Sequence, residues 1–242
     1  MDKYRRDLKK QVRDCINLGY IVPEDIPSIE LYMDQITTFM DKYLSKNKRT
    51  EEDKTLTKTM INNYTKNDLL PPSNKKRYSK EHIILLIYIY YLKNIVSISD
   101  IQTILVPLIE NYCDNKNQDF SMEDIYEQLF QLEKRQFFNT GESITKTYEL
   151  INRHLGDCED EYLKKFFLVS LLGYDIFMRK KLMEQLIDEM KPEQDEENEK
   201  AAKKETKSER TVKSEKTARA EKAVKAGKPV KTEKVSKPRE QK

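Results

Sequence analysis

The chain is expected to fold as an all-α protein, and three observations carry that expectation. Apolar residues recur at helical spacing, with no stretch that alternates as a strand does. Serine followed three residues later by an acid, at Ser97/Asp100 and Ser121/Asp124, marks helix starts. Only 5 Gly and no Trp occur in 242 residues, a mix that favours helices.

Each element has its own signal. Residues 1–27 read as a peripheral N-terminal segment: a short helix near Arg5–Leu18 ending at Gly19, then a loop bracketed by Pro23 and Pro27. Ser28 is the expected N-cap of a helix over Ile29–Ser45, with Tyr32, Met33, Ile36, Phe39, Met40, Tyr43 and Leu44 as its apolar stripe. "KNKRTEEDK" is a solvated loop. A second helix runs from about Thr57 to Asn67 with Met60, Ile61 and Tyr64 on one face, and Pro71 and Pro72 forbid its continuation. Ser79 caps the next. Its apolar run Ile83–Leu92 calls for cover on more than one side, and Tyr88, Tyr90 and Tyr91 read as packing residues. That run falls well short of the ~20 residues that span a membrane.

The helix opened by Ser97 buries Ile101, Ile104, Leu105 and Leu108. The helix opened by Ser121 is expected to end near Gly141, and the following one at Gly156. From Glu159 to Met190 a long helical pattern follows, with Gly173 as a break. Val169, Ile176, Met183 and Met190 fall seven apart, a coiled-coil-like seam that points to a homodimer. The expected organisation is therefore 28–110 as one helical domain, 111–190 as a helical C-terminal region for self-association, and 191–242 as a disordered, Lys-rich tail.

That tail is chemically a separate object. Residues 200–242 carry 16 Lys/Arg and 6 Glu, against an excess of acid in the rest of the chain. Every third residue from Lys204 to Lys237 is basic. A segment without aromatics and almost without large aliphatics cannot offset the entropy of ordering itself. It reads either as a solubilising tail or as a sequence-blind polyanion binder.

The acidic body holds one basic island. Lys54, Lys58, Lys66, Lys75, Lys76, Arg77 and Lys80 lie in a stretch whose one acid is Asp68. If Ile61 and Tyr64 face inward, Lys58, Thr59, Asn62, Asn63 and Lys66 face out. Cations there can meet phosphates, and short amides can read adenine edges. The prolines then turn the chain into a short basic loop carrying Lys75, Lys76 and Arg77. This is the order of a helix-turn-helix followed by a wing.

The segment "TMINNYTKNDLLPP" followed by "RYSKEHI" resembles the winged helix-turn-helix of MerR-type bacterial regulators, and "SISDIQTIL" resembles the helix that closes that domain. More narrowly, residues of about 28–140 are similar to a bacterial domain-of-unknown-function family with this MerR-like core. The resemblance implies that Lys58, Thr59, Asn62 and Asn63 occupy outward positions of a recognition helix. It also implies that Tyr64 is that helix's tyrosine and that Arg77 is the wing arginine that meets phosphate. Two features depart from the pattern: the loop "SNKK" is short and lacks Gly, and the connection between the first two helices is long.

Other chemistry finds no support. No Gly-rich phosphate loop, nucleophile elbow or paired-His motif occurs. His82 sits where a capping residue sits, Cys113 has no second Cys at ligand spacing, and His154 with Cys158 is a lone pair. No catalytic residue, metal or cofactor is expected, and no enzyme. Three widely spaced Cys suggest no disulfide framework, and "MDKYRRDLKK" lacks a signal-peptide core, so the expected location is the cytoplasm. The expected function is a sequence-specific DNA-binding transcriptional regulator, with DNA and a second copy as partners and no membrane. The alternative is a non-enzymatic helical adaptor that has kept the fold without binding an operator.

Overall fold

Capping side chains decide where most elements begin. The computed structural model describes residues 3–16, 20–113, 119–156 and 158–191. Among these the order is α1 (Lys3–Ile16), a 3-10 turn (Pro23–Asp25), β1 (Leu31–Tyr32), α2 (Met33–Leu44), a second 3-10 turn (Ser45–Asn47), α3 (Lys58–Lys66), β2 (Arg77–Tyr78), α4 (Lys80–Leu92), α5 (Ile98–Tyr112), α6 (Met122–Leu155) and α7 (Glu161–Glu189). At α5 the Asp100 backbone N–H donates to Ser97 Oγ (3.1 Å) while Asp100 Oδ2 accepts from the Ser97 backbone N–H (3.1 Å). Ser121 and Asp124 repeat this at α6. At α4 the reciprocal partner of Ser79 is His82, whose Nδ1 accepts from the Ser79 backbone N–H at 3.1 Å. His82 is thus a capping residue.

Three expectations need correction. The helix expected over Ile29–Ser45 starts at Met33, because Gln35 Oε1 accepts from the Tyr32 backbone N–H at 2.8 Å and caps a later start. Ile29 stays outside and is 68% exposed. The residues before that start form β1, which pairs antiparallel with β2 in the register Leu31↔Tyr78 and Tyr32↔Arg77. Two-residue strands are too short to show alternation in a sequence. Neither glycine in the long helices breaks its helix: α6 runs unbroken through Gly141, and α7 through Gly173. Interior Gly costs only about 1 kcal/mol relative to Ala, which neighbouring turns and packing easily offset. The expected helix end at Gly19 and the tail expected over 191–242, Lys191 aside, lie outside the described residues.

The main core is organised on α4. Ile83, Ile84, Leu85, Leu86, Ile87 and Ile89 of that helix are all buried, so cover comes from several sides. Burying each such side chain stabilises by about 1.5–3 kcal/mol. The same core includes Ile36, Met40 and Leu44 of α2, Ile61 and Tyr64 of α3, Ile101 and Leu105 of α5, Met122 and Tyr126 of α6, and Ile187 of α7. A smaller cluster joins Leu8 of α1, Tyr148 and Ile151 of α6, and Leu168 of α7. Residues 1–190 form one unit. No helix among the described residues is long and apolar enough to cross a membrane.

α7 spreads its apolar residues around the helix with charged ones between them, and fully buries only Leu168 and Ile187. In the seven-residue row, Met183 packs against the main core while Val169 (69%) and Ile176 (65%) are exposed. The seam is therefore split between the chain's own core and its surface. A Cβ added at Gly173 would meet nothing within 4 Å. Gly173→Ala is accordingly expected to stabilise the protein by about 0.5–1 kcal/mol, read as a higher urea midpoint at unchanged slope.

Candidate nucleic-acid interface

The site is built outward from α3. Thr57 Oγ1 accepts from the Met60 backbone N–H (3.2 Å) and starts the helix. Ile61 and Tyr64 are buried, so the spacing forces Lys58, Thr59, Asn62, Asn63 and Lys66 to the outside, and all five are exposed. The helix stops before the prolines are reached. Asp68 adopts a left-handed conformation (φ 54°), the Leu69 backbone N–H donates to Tyr64 O (3.0 Å) and the Asp68 backbone N–H to Thr65 O (3.3 Å). That is a Schellman end with Asp where Gly is usual. Leu69 and Leu70 then bury and anchor the exit.

The basic loop is a tight hairpin turn. The Asn74 backbone N–H donates to Arg77 O (3.0 Å) and the Arg77 N–H to Asn74 O (2.9 Å). Both residues between have positive φ, Lys75 at 49° and Lys76 at 63°. This is the pattern of a type I′ turn, normally filled by Asn-Gly. Two lysines there cost about 1–2 kcal/mol each in backbone strain. The turn thus needs no Gly, and it presents two exposed ammonium groups at its tip.

Arg77 and Lys58 each reach a residue of the segment where β1 enters α2. Arg77 Nε donates to Tyr32 Oη at 3.4 Å, with the guanidinium 5.6 Å from that ring's centre. Arg77 also lies 3.8 Å from Glu30, and Lys58 pairs with Asp34. So two of the expected phosphate contacts already face carboxylates. No ion pair among the described residues involves Lys66, Lys75 or Lys76. Nor does a hydrogen bond or ion pair among them tie the two turn lysines to α3. Tyr32, Glu30 and Asp34 were missed as site residues. A carboxylate in a helix's first turn is an ordinary find, and nothing in the sequence tells that it faces a lysine on the next helix.

The long connection between α2 and α3 is held rather than loose. Asp41 accepts from Lys48 Nζ (2.7 Å) and from Thr55 Oγ1 (3.1 Å). The Lys48 bond holds the Asp41 carboxyl below the usual carboxylate range. Asp53 accepts from the backbone N–H groups of Arg49 (2.9 Å) and Thr50 (3.1 Å), and Lys93 Nζ donates to Thr55 O (2.9 Å). Thr55 and Leu56 are buried. The extra length therefore leaves α3 fixed against α2.

The remaining candidates lie elsewhere. Cys113 is buried in the main core, and His154 faces the Phe167 ring at 6.5 Å between centres. Among the described residues no three His, Cys, Asp or Glu side chains are grouped to hold a metal.

Comparison with known proteins adds one finding. Residues 21–129, a little under half of the chain, match the family described as "Domain of unknown function (DUF1836)". This overlaps most of the span of about 28–140 that the sequence pointed to, and covers β1 to the first turns of α6. No curated protein and no solved structure matches the chain.

Proposed function

We propose that the chain is a sequence-specific DNA-binding regulator that uses a MerR-like winged helix-turn-helix. In this reading α2 and α3 are the helix pair, α3 enters the major groove, and the Asn74–Arg77 turn is the wing. The observation that carries it is the sorting of α3 and its exit: Lys58, Thr59, Asn62, Asn63, Lys66, Lys75, Lys76 and Arg77 are all exposed, while Ile61 and Tyr64 between them are buried. Asn62 and Asn63 supply the amides that can pair with adenine edges, and the lysines and Arg77 supply phosphate contacts. The basic tail adds sequence-blind attraction that falls with salt.

Glu30 and Asp34 compete with phosphate for Arg77 and Lys58. Asp34→Asn is therefore expected to tighten DNA binding several-fold at low salt, with a smaller gain as salt screens the competing carboxylate. Unchanged affinity would detach Lys58 from the interface. The reading itself is tested by selection from a pool of random duplexes. The full chain should enrich a common sequence, and Asn62→Ala with Asn63→Ala should lose that enrichment while keeping weak, salt-sensitive binding. Absence of any enrichment by the wild-type chain contradicts sequence-specific binding.

A second reading, a helical protein-interaction adaptor, draws on α7. Tyr162, Phe166, Val169, Tyr174, Ile176, Phe177, Leu182 and Leu186 of that helix are each at least 50% exposed. Tyr162, Phe166, Val169, Ile176 and Phe177 share one side of the helix, and the other three lie round it, so this side alone is smaller than the roughly 800 Å² per partner of a standard interface. The occupant argued for is a second copy of the chain. The seven-residue row asks for a helix of matching repeat.

A further inference from the structure

The described residues line an open cleft with a cavity volume of about 1090 Å³, walled by α1, α4, α5, α6 and α7 and by Tyr20. Its walls are mostly aliphatic, among them Leu8, Leu108, Leu129, Ile144, Leu168 and Leu172. One group breaks the pattern. Glu133 of α6 sits half-buried on this wall, between Phe130 and Phe137 on the same helix face. Its Oε2 accepts from the Tyr20 hydroxyl at 2.8 Å. The Tyr20 ring packs against Phe130 (5.6 Å between centres), Tyr91 (6.3 Å) and Phe137 (6.3 Å). The result is a carboxylate hydrogen-bonded to the hydroxyl of an aromatic cluster.

No ion pair among the described residues reaches Glu133. Burial pushes its carboxyl up, and the one opposing influence is the Tyr20 hydrogen bond. Lys165 lines the same cavity from α7, and Cys15 lines it from α1. The buried Tyr88 hydroxyl on this wall has no hydrogen-bond partner among the described residues. A cleft wall built for packing alone would not set a half-buried acid and a buried phenol into it with so few partners.

We propose that this cavity is a binding site for an organic cation with a bulky apolar body. The apolar body fills the aliphatic part, and the positive centre sits against Glu133, beside the rings of Tyr20, Tyr91 and Phe137. Each part answers to a known attraction. Aromatic faces draw cations, most strongly when both are out of water. A half-buried carboxylate without a counter-charge is neutralised by one. The size suits a drug-sized ligand with a few convergent polar groups. No residue of α3 lines this site, and it does not depend on the DNA-binding reading.

The test uses two probes of similar shape, tetraphenylphosphonium and neutral triphenylphosphine oxide, in equilibrium dialysis against the full chain. The cation should bind once per chain, and more tightly than the neutral probe. Glu133→Gln should weaken the cation about tenfold or more, and leave the neutral probe unchanged. Tyr91→Leu should weaken the cation several-fold, and this variant decides the matter if Glu133→Gln fails to fold by circular dichroism. No binding of the cation at millimolar concentration overturns the proposal. So does equal binding of the cation by wild type and the folded variant, which would mean an apolar void without charge selection.

Discussion

Lys58→Ala combined with Asn62→Ala is expected to lower affinity for a selected target duplex by about 2–4 kcal/mol. Losing an amide that reads a base costs about 1–3 kcal/mol, and losing a phosphate contact lowers the salt slope by about one. Folding should be spared. Both side chains are exposed, and the helix start rests on Thr57, its burial on Ile61 and Tyr64. The one interaction lost is the surface ion pair of Lys58 with Asp34, and exposed pairs contribute little. The measurement is a binding isotherm at two salt concentrations beside a urea melt. Wild-type affinity with an unchanged salt slope would remove α3 as the recognition helix.

The second large effect concerns α7. Ile176→Asp with Phe177→Asp is expected to convert a dimer to a monomer in analytical ultracentrifugation, and to weaken binding to a two-half-site duplex by orders of magnitude. Both residues are exposed, at 65% and 54%, so the monomer's own packing is untouched. Met183 is unsuitable for this purpose because it packs against the main core. A wild-type chain that sediments as a monomer at tens of micromolar contradicts the pairing.

The contrast between what the sequence revealed and what it hid is physical. α3 was legible because its determinants are local: two apolar residues three apart, polar residues at the positions between, and prolines beyond its end. α4 was legible because a ten-residue apolar run behind a serine cap is longer than most strands and asks for a helix covered on several sides. The start of α2 was not, because Leu31 and Tyr32 are held as a strand by Arg77 and Tyr78, far along the chain. Gly141 was misread because a helix interior tolerates one Gly when its neighbours pack, and this one is buried within α6. The turn at Lys75 and Lys76 was read as a basic loop, but its geometry could not be, since lysine rarely takes positive φ. The cavity is drawn from five helices and Tyr20. Its one local trace is Glu133 set between Phe130 and Phe137 at helical spacing, an acid on an otherwise apolar face.

Those two lysines offer the most direct measurement of the central claim, that this face grips DNA. Lys75→Asn with Lys76→Gly keeps the turn and relieves the positive-φ strain, so it should stabilise the fold by about 1–3 kcal/mol. The same change removes two cations from the tip. Binding of the full chain to its selected duplex, titrated with salt, should then show a slope shallower by about two and a lower affinity at every salt concentration. A variant that is more stable but binds with the wild-type slope and affinity would show that the turn does not touch DNA, and would contradict the account.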